Sequence, residues 1–169
     1  ICSFKYHGNL TLARPLAQLM LNALPQGLDA DVIIPVPLHP TRLRTREFNQ
    51  SLLLADQLGR HLSRPVSATN LVRTALTDSQ TALSRQARLR NLRNAFTIRR
   101  PHDLAGKRIL LVDDVYTTGT TVNECAKTLR KAGSGQVFAL TLARTVETDL
   151  VADRLFTEQT GRPLTTLGI

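Results

Sequence analysis

The chain has 169 residues, of which 42% are hydrophobic and 4% aromatic, and its formal net charge is +9 at pH 7. This length fits one domain with a mainly aliphatic core. No apolar run approaches the roughly 18 residues of a membrane span and no signal-peptide pattern opens the chain, so we expect a cytoplasmic protein. The excess positive charge favours partners that carry phosphate, whether nucleotides, nucleic acid or a membrane surface.

The cysteine content excludes two further classes of small domain. Cys2 and Cys125 are far apart and form no CxxC pair, which argues against a disulfide framework and against a zinc site. We expect Cys125 in the core. Because the chain begins with Ile rather than Met, we also expect that an N-terminal part is missing or was removed.

The first third of the chain predicts a helix, a buried strand and a second helix. Apolar residues recur at helical spacing from Leu10 until Pro25, and again from Leu52 to Leu58. Between them, Val32-Ile33-Ile34 predicts a strand that leads into Pro35-Val36-Pro37-Leu38-His39-Pro40. Three prolines in six residues make this loop rigid, so it is a plausible wall for a site.

Arginine-rich stretches lie on both sides of the second helix. The first holds Arg42, Arg44 and Arg46. The second runs from Ser79 to His102, contains no acidic residue, and includes Arg85, Arg88, Arg90, Arg93, Arg99 and Arg100. Such stretches are often only solvent-exposed surface. The absence of counter-charges in the second favours a function, either a flap over a polyphosphate or a groove for a nucleic-acid backbone.

The segment from Ile109 to Thr121 combines a buried strand, two adjacent acids and a loop of small residues. Ile109 to Val112 are all aliphatic, which predicts a strand buried on both faces, with Asp113 and Asp114 in a turn at its C-terminal end. Helical spacing resumes after Gly119 and ends at Gly133. In an open α/β sheet, ligands bind beyond the carboxyl ends of the strands.

The remaining elements are short strands and a tail. Weakly strand-like sequence covers 65–73 and 94–98, and a further strand is predicted over 136–143. The tail, 145–169, has loosely helical spacing that Gly161 and Pro163 interrupt.

The loop after the two acids suits an anion. A helix N-terminus offers unpaired N–H groups and a partial positive charge, and a glycine allows close approach of the backbone to a phosphate. The hydroxyls of Thr117, Thr118, Thr120 and Thr121 add donors. Two carboxylates repel a phosphate, so they need sugar hydroxyls or a divalent cation nearby. A phosphorylated sugar satisfies both demands.

Ile109 to Thr121 resembles the ribose-5-phosphate signature of the type I phosphoribosyltransferases. The resemblance implies an α/β fold, with a central mainly parallel sheet flanked by helices and a small hood or flap region. It also implies that Asp113 and Asp114 hold the ribose hydroxyls of phosphoribosyl pyrophosphate (PRPP), that the loop cradles the 5-phosphate, and that Mg²⁺ is carried by PRPP itself rather than by protein ligands. The predicted PRPP-binding residues are Asp113, Asp114, Val115, Tyr116, Thr117, Thr118, Gly119, Thr120 and Thr121.

Two other folds carry acids after a buried strand. A Walker B element would need a G-x-x-x-x-G-K-[ST] phosphate loop, which the chain lacks. A phospho-receiver domain would need further strands and a phosphoacceptor Asp downstream, where only Asp149 and Asp153 remain.

Further motifs are similar, in order and spacing, to the ComF family (competence protein F) within this superfamily. They are Phe4-Lys5-Tyr6, Pro35-Val36-Pro37-Leu38, Arg42, Arg46-Glu47-Phe48-Asn49-Gln50, Gln80, Leu83-Ser84-Arg85, Arg88, Arg90-Asn91 and Ala95-Phe96. The chain departs from the family in having Glu47 where a glycine is usual, and in lacking the N-terminal zinc ribbon that is common there. We expect a phosphoribosyltransferase-like domain over 1–145 and a C-terminal extension over 146–169.

The resemblance implies a PRPP-binding protein that handles incoming single-stranded DNA during natural transformation, with protein partners in the DNA-uptake machinery. Val36, Pro37, Leu38 and His39 would then face the pyrophosphate, and Arg85 or Arg88 would close over it. An active phosphoribosyltransferase acting on a nucleobase or an amine is the alternative. A third hypothesis is a nucleic-acid-binding module whose sugar-phosphate pocket is vestigial or regulatory. The nucleic-acid contacts would come from Arg42, Arg44, Arg46, Arg90 and Arg93.

Overall fold

The computed structural model describes residues 12–39, 43, 48–74, 94–144 and 165–168. Three α-helices and six strands lie in these ranges, together with a short 3₁₀ helix at Pro101–Leu104. In chain order they are α1 (Ala13–Asn22), β1 (Val32–Pro35), α2 (Gln50–Leu62), β2 (Leu71–Arg73), β3 (Phe96–Ile98), β4 (Ile109–Tyr116), α3 (Thr120–Lys131), β5 (Val137–Arg144) and β6 (Thr165–Gly168).

Four parallel strands form the central sheet in the order β1-β4-β5-β6. The register aligns the starts of β1, β4 and β5, with Val32 beside Ile109 and Ile109 beside Val137. β2 and β3 form a separate antiparallel pair. The predicted α/β fold with a parallel sheet is therefore confirmed.

Helices cover both faces of this sheet because its strands are apolar on both faces. In β4, Ile109 and Leu111 pack in a cluster with Val122, Cys125 and Leu129 of α3. The intervening Leu110 and Val112 pack in a second cluster with residues of α1 and α2. Alternate side chains of one strand thus supply two cores, as expected of a strand in a covered parallel sheet. Cys125 is fully buried, as predicted.

Two elements differ from the sequence prediction. β4 does not end before the acids but continues to Tyr116, because Asp113, Val115 and Tyr116 all pair with residues of β5. The expected acidic turn is therefore wrong, and both acids lie within the last residues of a strand. Residues 165–168, assigned above to a C-terminal extension, pair with β5 as a strand of the central sheet.

An ion network joins the other end of the sheet, where β1 and β4 begin. The guanidinium of Arg108 donates to both oxygens of Asp31, at 3.1 and 2.7 Å, and also reaches Asp29 at 2.8 Å. Arg64, which follows α2, donates to the same Asp29 at 2.8 Å. These contacts fix the start of the two neighbouring strands and the end of α2. The two acids of β4 lie at the opposite, carboxyl end.

Candidate functional site

Asp113 is a buried carboxylate at the carboxyl end of β4. Only 9% of the residue is exposed, and its Oδ1 accepts hydrogen bonds from the Ser51 hydroxyl at 3.0 Å and from the Asp114 backbone N–H at 2.9 Å. Buried carboxylates need such donors. Asp114 follows in the same strand and is half-buried. The pair thus combines one firmly held carboxylate with one that is more accessible.

The negative charge of Asp113 also affects the pKa of Cys125, a residue of α3. Burial raises the pKa of the Cys125 thiol well above its ordinary value, and the negative charge of Asp113 raises it further. A thiol in this state stays protonated near neutral pH, so Cys125 is a packing residue rather than a nucleophile.

The start of α2 lies beside Asp113 because Asn49 and Ser51 bind neighbouring parts of the site. Asn49 is the N-cap residue: its side-chain oxygen accepts the Ser51 N–H at 3.1 Å, and its Nδ2 donates to the Val36 carbonyl at 3.1 Å. Ser51 is buried and donates to Asp113. Between them, the Gln50 side-chain nitrogen is buried and has no hydrogen-bond partner within the described part of the chain.

The loop after β1 runs along the end of β4. The Val36 N–H donates to the Val112 carbonyl at 2.8 Å, one residue before Asp113. Val36 and His39 are buried, while Pro37 and Leu38 are half-buried. The structure therefore places the predicted pyrophosphate-side loop next to the acid pair.

The Thr/Gly loop ends in a helix N-terminus that no side chain of the described residues caps. Gly119 is the N-cap residue of α3, it has a left-handed φ of 70°, and no acidic residue lies in the first turn. The hydroxyls of Thr118 and Thr120 lie 2.9 Å apart. By contrast with α2, which Asn49 caps, α3 leaves its first N–H groups for a ligand. This geometry suits an anion.

An aromatic ring and a cation pack against that loop. A Cβ at Gly119 would overlap the hydroxyl and ring carbons of Tyr116, so the phenol occupies the space that any other residue would need. The guanidinium of Arg144 lies 5.4 Å from the centroid of the same ring. Arg144 pairs with Tyr116 in the sheet. The site end of the sheet therefore has a cation at the end of β5 as well as two acids in β4.

The first part of the second arginine-rich stretch belongs to the segment that connects β2 to β3. Thr74 donates its N–H to the Ala95 carbonyl at 2.8 Å, which joins the two ends of the intervening segment. Arg73 lies over the ring of Phe96, 5.7 Å from its centroid. The positive charge of Arg73 lowers the pKa of Cys125 in α3, against the larger effect of burial. The segment therefore begins and ends at an antiparallel pair of strands that packs on α3.

The arginines predicted to contact pyrophosphate or nucleic acid lie outside the described residues. They are Arg42, Arg44, Arg46, Arg85, Arg88, Arg90 and Arg93. Their roles stay predictions, as do the binding roles of the residues from Asp113 to Thr121.

Three residues of this site received no role from the sequence. Asn49 belongs to a recognised motif, but its contact with Val36 crosses 13 residues, and the contact of Ser51 with Asp113 crosses 62. The Asn-x-Ser pattern before an apolar helix signals an N-cap but not its partners. Arg144 follows a predicted strand, and the sequence does not show its neighbour. The register of β5 with β4 places it beside Tyr116.

Other features of the described residues lie elsewhere or point to no site. A cavity of about 410 Å³ is lined by Asp56, Gly59, Arg60, Ser63, Arg64 and Val66, at the far end of α2 from Ser51. Across 12–39, 48–74 and 94–144, no three His, Cys, Asp or Glu side chains are grouped to hold a metal ion. The helices in these ranges are too short or too polar to span a membrane.

A family model described as the phosphoribosyl transferase domain matches residues 49–159. The match includes α2, β4 and α3, and so it covers both acids and the whole Thr/Gly loop. The chain belongs to the phosphoribosyl transferase family. The resemblance of Ile109 to Thr121 to this family is thereby confirmed, and the type I phosphoribosyltransferase fold agrees with the sheet described above.

The similar proteins narrow this family to its ComF relatives. Competence protein F of Haemophilus influenzae is 37% identical over 148 residues, which cover 83% of this chain and 65% of that protein. The DNA utilization protein YhgH of Escherichia coli O157:H7 is 42% identical over 116 residues, 69% of this chain and 50% of that protein. The ComF resemblance is confirmed. The chain spans between half and about two thirds of these relatives.

Solved structures agree on the fold. The orotate phosphoribosyltransferase of Aeropyrum pernix superposes with a TM-score of 0.59 at 20% identity, over 96% of this chain and 72% of that one. At this identity the likeness concerns the fold alone.

Proposed function

We propose that this ComF-related domain binds a ribose 5-phosphate group, with PRPP as the first candidate. One observation carries the proposal: two carboxylates near the end of β4, one of them firmly held, are joined by a single short loop to the start of α3, which no described side chain caps. Asp113 and Asp114 have the acceptors that sugar hydroxyls need, and the start of α3 has the donors that a phosphate needs. The carboxylates and the positively polarised start of α3 are separated along the chain, which fits a ligand that is neutral at one end and anionic at the other.

The remaining groups of PRPP have matching surroundings. Its pyrophosphate would lie toward Val36–His39, which is fixed to β4 beside Asp113. Arg144 supplies a cation at the same end of the sheet, and Arg85 and Arg88 would add charge from the segment between β2 and β3. Arginine suits this task because its guanidinium bonds phosphate oxygens in pairs.

Mg²⁺ fits the site as an ion that arrives with the ligand. It usually keeps water and substrate phosphates among its ligands, so it would be held by the pyrophosphate and ribose oxygens of PRPP rather than by the protein. When bound, it would neutralise pyrophosphate charge. The protein residues would orient the ribose and the 5-phosphate.

Calorimetry with PRPP and MgCl₂ tests the proposal directly. We expect measurable binding by the wild type and at least about tenfold weaker binding, or about 1.4 kcal/mol, when Asp113→Asn and Asp114→Asn are combined. Asp56→Asn, which removes a carboxylate in the middle of α2, should bind as the wild type does. A wild type that gives no binding heat at several temperatures would refute the proposal.

We further infer a role in the handling of DNA. Two relatives carry the names competence protein F and DNA utilization protein, and the net charge of +9 favours a polyanionic partner. We propose single-stranded DNA as that partner, in the cytoplasm, together with protein partners of a DNA-uptake machinery. PRPP binding would then supply or regulate a step in this process.

The family match favours an active transferase as the second candidate. In that reaction the bond from ribose C1 to the pyrophosphate oxygen breaks, a nitrogen of a nucleobase or amine bonds to C1, and the acceptor proton passes to solvent. Pyrophosphate release from PRPP in the presence of mixed nucleobases and amines would support it. Binding without acceptor-dependent release would support the binding function alone.

A further inference from the structure

The first turn of α2 contacts both halves of the proposed site. Asn49 contacts the loop after β1, and Ser51 contacts Asp113. We propose that these two are positioning residues: Ser51 sets the ribose-binding carboxylate, and Asn49 sets the loop that faces the pyrophosphate. This inference rests on the proposed function, since it assigns work within the same site.

Ser51 restricts the orientation of the Asp113 carboxylate. The residue is only 4% exposed, so its hydroxyl donates at 3.0 Å in surroundings where water does not compete. The Asp114 N–H holds the same oxygen at 2.9 Å. Two donors on one oxygen limit rotation about the Cβ–Cγ bond. Without Ser51 one of these two donors is lost, and the orientation of the Asp113 carboxylate is less tightly restricted.

Asn49 performs two tasks with the two ends of its amide. Its oxygen caps α2 by accepting the Ser51 N–H, and its nitrogen donates to the Val36 carbonyl. Val36 is held on its other side because its own N–H donates to Val112 of β4. Asp at position 49 would keep the cap but lose the donor. The two tasks can therefore be separated by one substitution.

The two contacts predict different ligand dependence. Ser51→Ala should weaken PRPP and ribose 5-phosphate alike, by about tenfold each, because both ligands carry the ribose hydroxyls. Asn49→Asp should weaken PRPP by about tenfold while ribose 5-phosphate, which has no pyrophosphate, stays within about twofold. Calorimetry in MgCl₂ with each ligand measures both effects.

Matched variants separate positioning from general damage. Ser51→Thr keeps the hydroxyl and should restore both affinities. Thr128→Val removes a hydroxyl that donates to the Glu124 carbonyl at 2.8 Å, far along α3, and should leave both affinities unchanged. Thermal unfolding of every variant shows whether the fold is intact.

The outcomes distinguish this inference from the proposed function. If the wild type binds PRPP, and Ser51→Ala and Asn49→Asp bind both ligands as tightly as the wild type does, the proposed positioning by α2 is wrong. The ribose-phosphate site itself then stands. If both variants lose both ligands in parallel with their melting temperature, or if a folded Ser51→Thr fails to restore binding, the contacts are structural and the inference is again wrong. If the wild type binds neither ligand, the proposed function fails and this inference fails with it.

Discussion

Gly119 is the residue on which the shape of the Thr/Gly loop most directly depends. Its φ of 70° lies in the left-handed region, which is costly for residues with a Cβ, and the space beside it is filled by the Tyr116 phenol. The same backbone conformation recurs at Gly133, after α3, where φ is 87° and an added Cβ would meet no atom within 4 Å. The two glycines therefore separate backbone strain from side-chain overlap.

We predict that Gly119→Ala lowers the free energy of unfolding by about 2–4 kcal/mol, because it adds both strain and overlap. Gly133→Ala should cost only the strain, about 1–2 kcal/mol. Urea unfolding monitored by circular dichroism measures both. PRPP binding should weaken only in Gly119→Ala, whose displaced Tyr116 ring disturbs the start of α3. Equal losses of stability in the two variants would show that the ring moves aside without cost.

At the scale of elements, the aliphatic runs were enough to predict β1, β4 and β5, because short runs bounded by polar or turn residues are typical of strands covered on both faces. The sequence also predicted α3 and the Thr/Gly loop, since both lie within one continuous motif. It could not predict how the start of α2 meets Asp113, because a serine in a helix gives no sign of a partner 62 residues away. Nor did it reveal β6, whose four residues follow a glycine and a proline and pair with β5.

The starts of β1 and β4 are joined by Asp31 and Arg108, and this pair predicts a pH dependence. The side-chain and backbone hydrogen bonds from Arg108 hold the pKa of Asp31 well below its ordinary value of 3.8. A carboxyl group whose pKa is lowered on folding stabilises the fold above its ordinary pKa, and this contribution is lost as the pH falls through the lowered value. The junction should therefore hold at mildly acidic pH and weaken only in strong acid.

We predict that Asp31→Asn is less stable than the wild type from about pH 7 down to about pH 5, and that the difference shrinks as the pH falls toward about 2. Urea unfolding at constant ionic strength across this range measures the difference. Asp56→Asn, which removes a carboxylate outside the ion network, controls for the change of net charge. A difference that stays constant with pH, or grows in acid, would contradict the assignment of the stabilisation to the ionised Asp31.

Over the whole molecule, the ion network of Asp29 and Asp31 and the proposed site occupy opposite ends of the sheet. Arg64 and Arg108 are neutralised by Asp29 and Asp31 at the N-terminal end of the strands. The excess positive charge of the chain must therefore act through other cations. Many of these fall in the two arginine-rich stretches, of which one lies directly before α2 and the other begins between β2 and β3 and continues past β3.

We predict that single-stranded DNA binds these stretches mainly through its phosphates, so that affinity falls steeply with salt. Each lost contact should make the slope of log K against log salt shallower by about 0.7. Removing the five arginines predicted to contact nucleic acid should make the slope shallower by about 2 or more while PRPP binding persists. Fluorescence anisotropy with a labelled oligonucleotide over a salt series measures this.

The charge-matched control replaces five cations elsewhere, and it should change affinity far less. An equal loss in both variants would indicate attraction by net charge alone, without a defined path for the strand. The test variant changes Arg42, Arg44, Arg46, Arg90 and Arg93 to Gln, and the control changes Arg14, Arg60, Lys107, Lys127 and Lys131 to Gln.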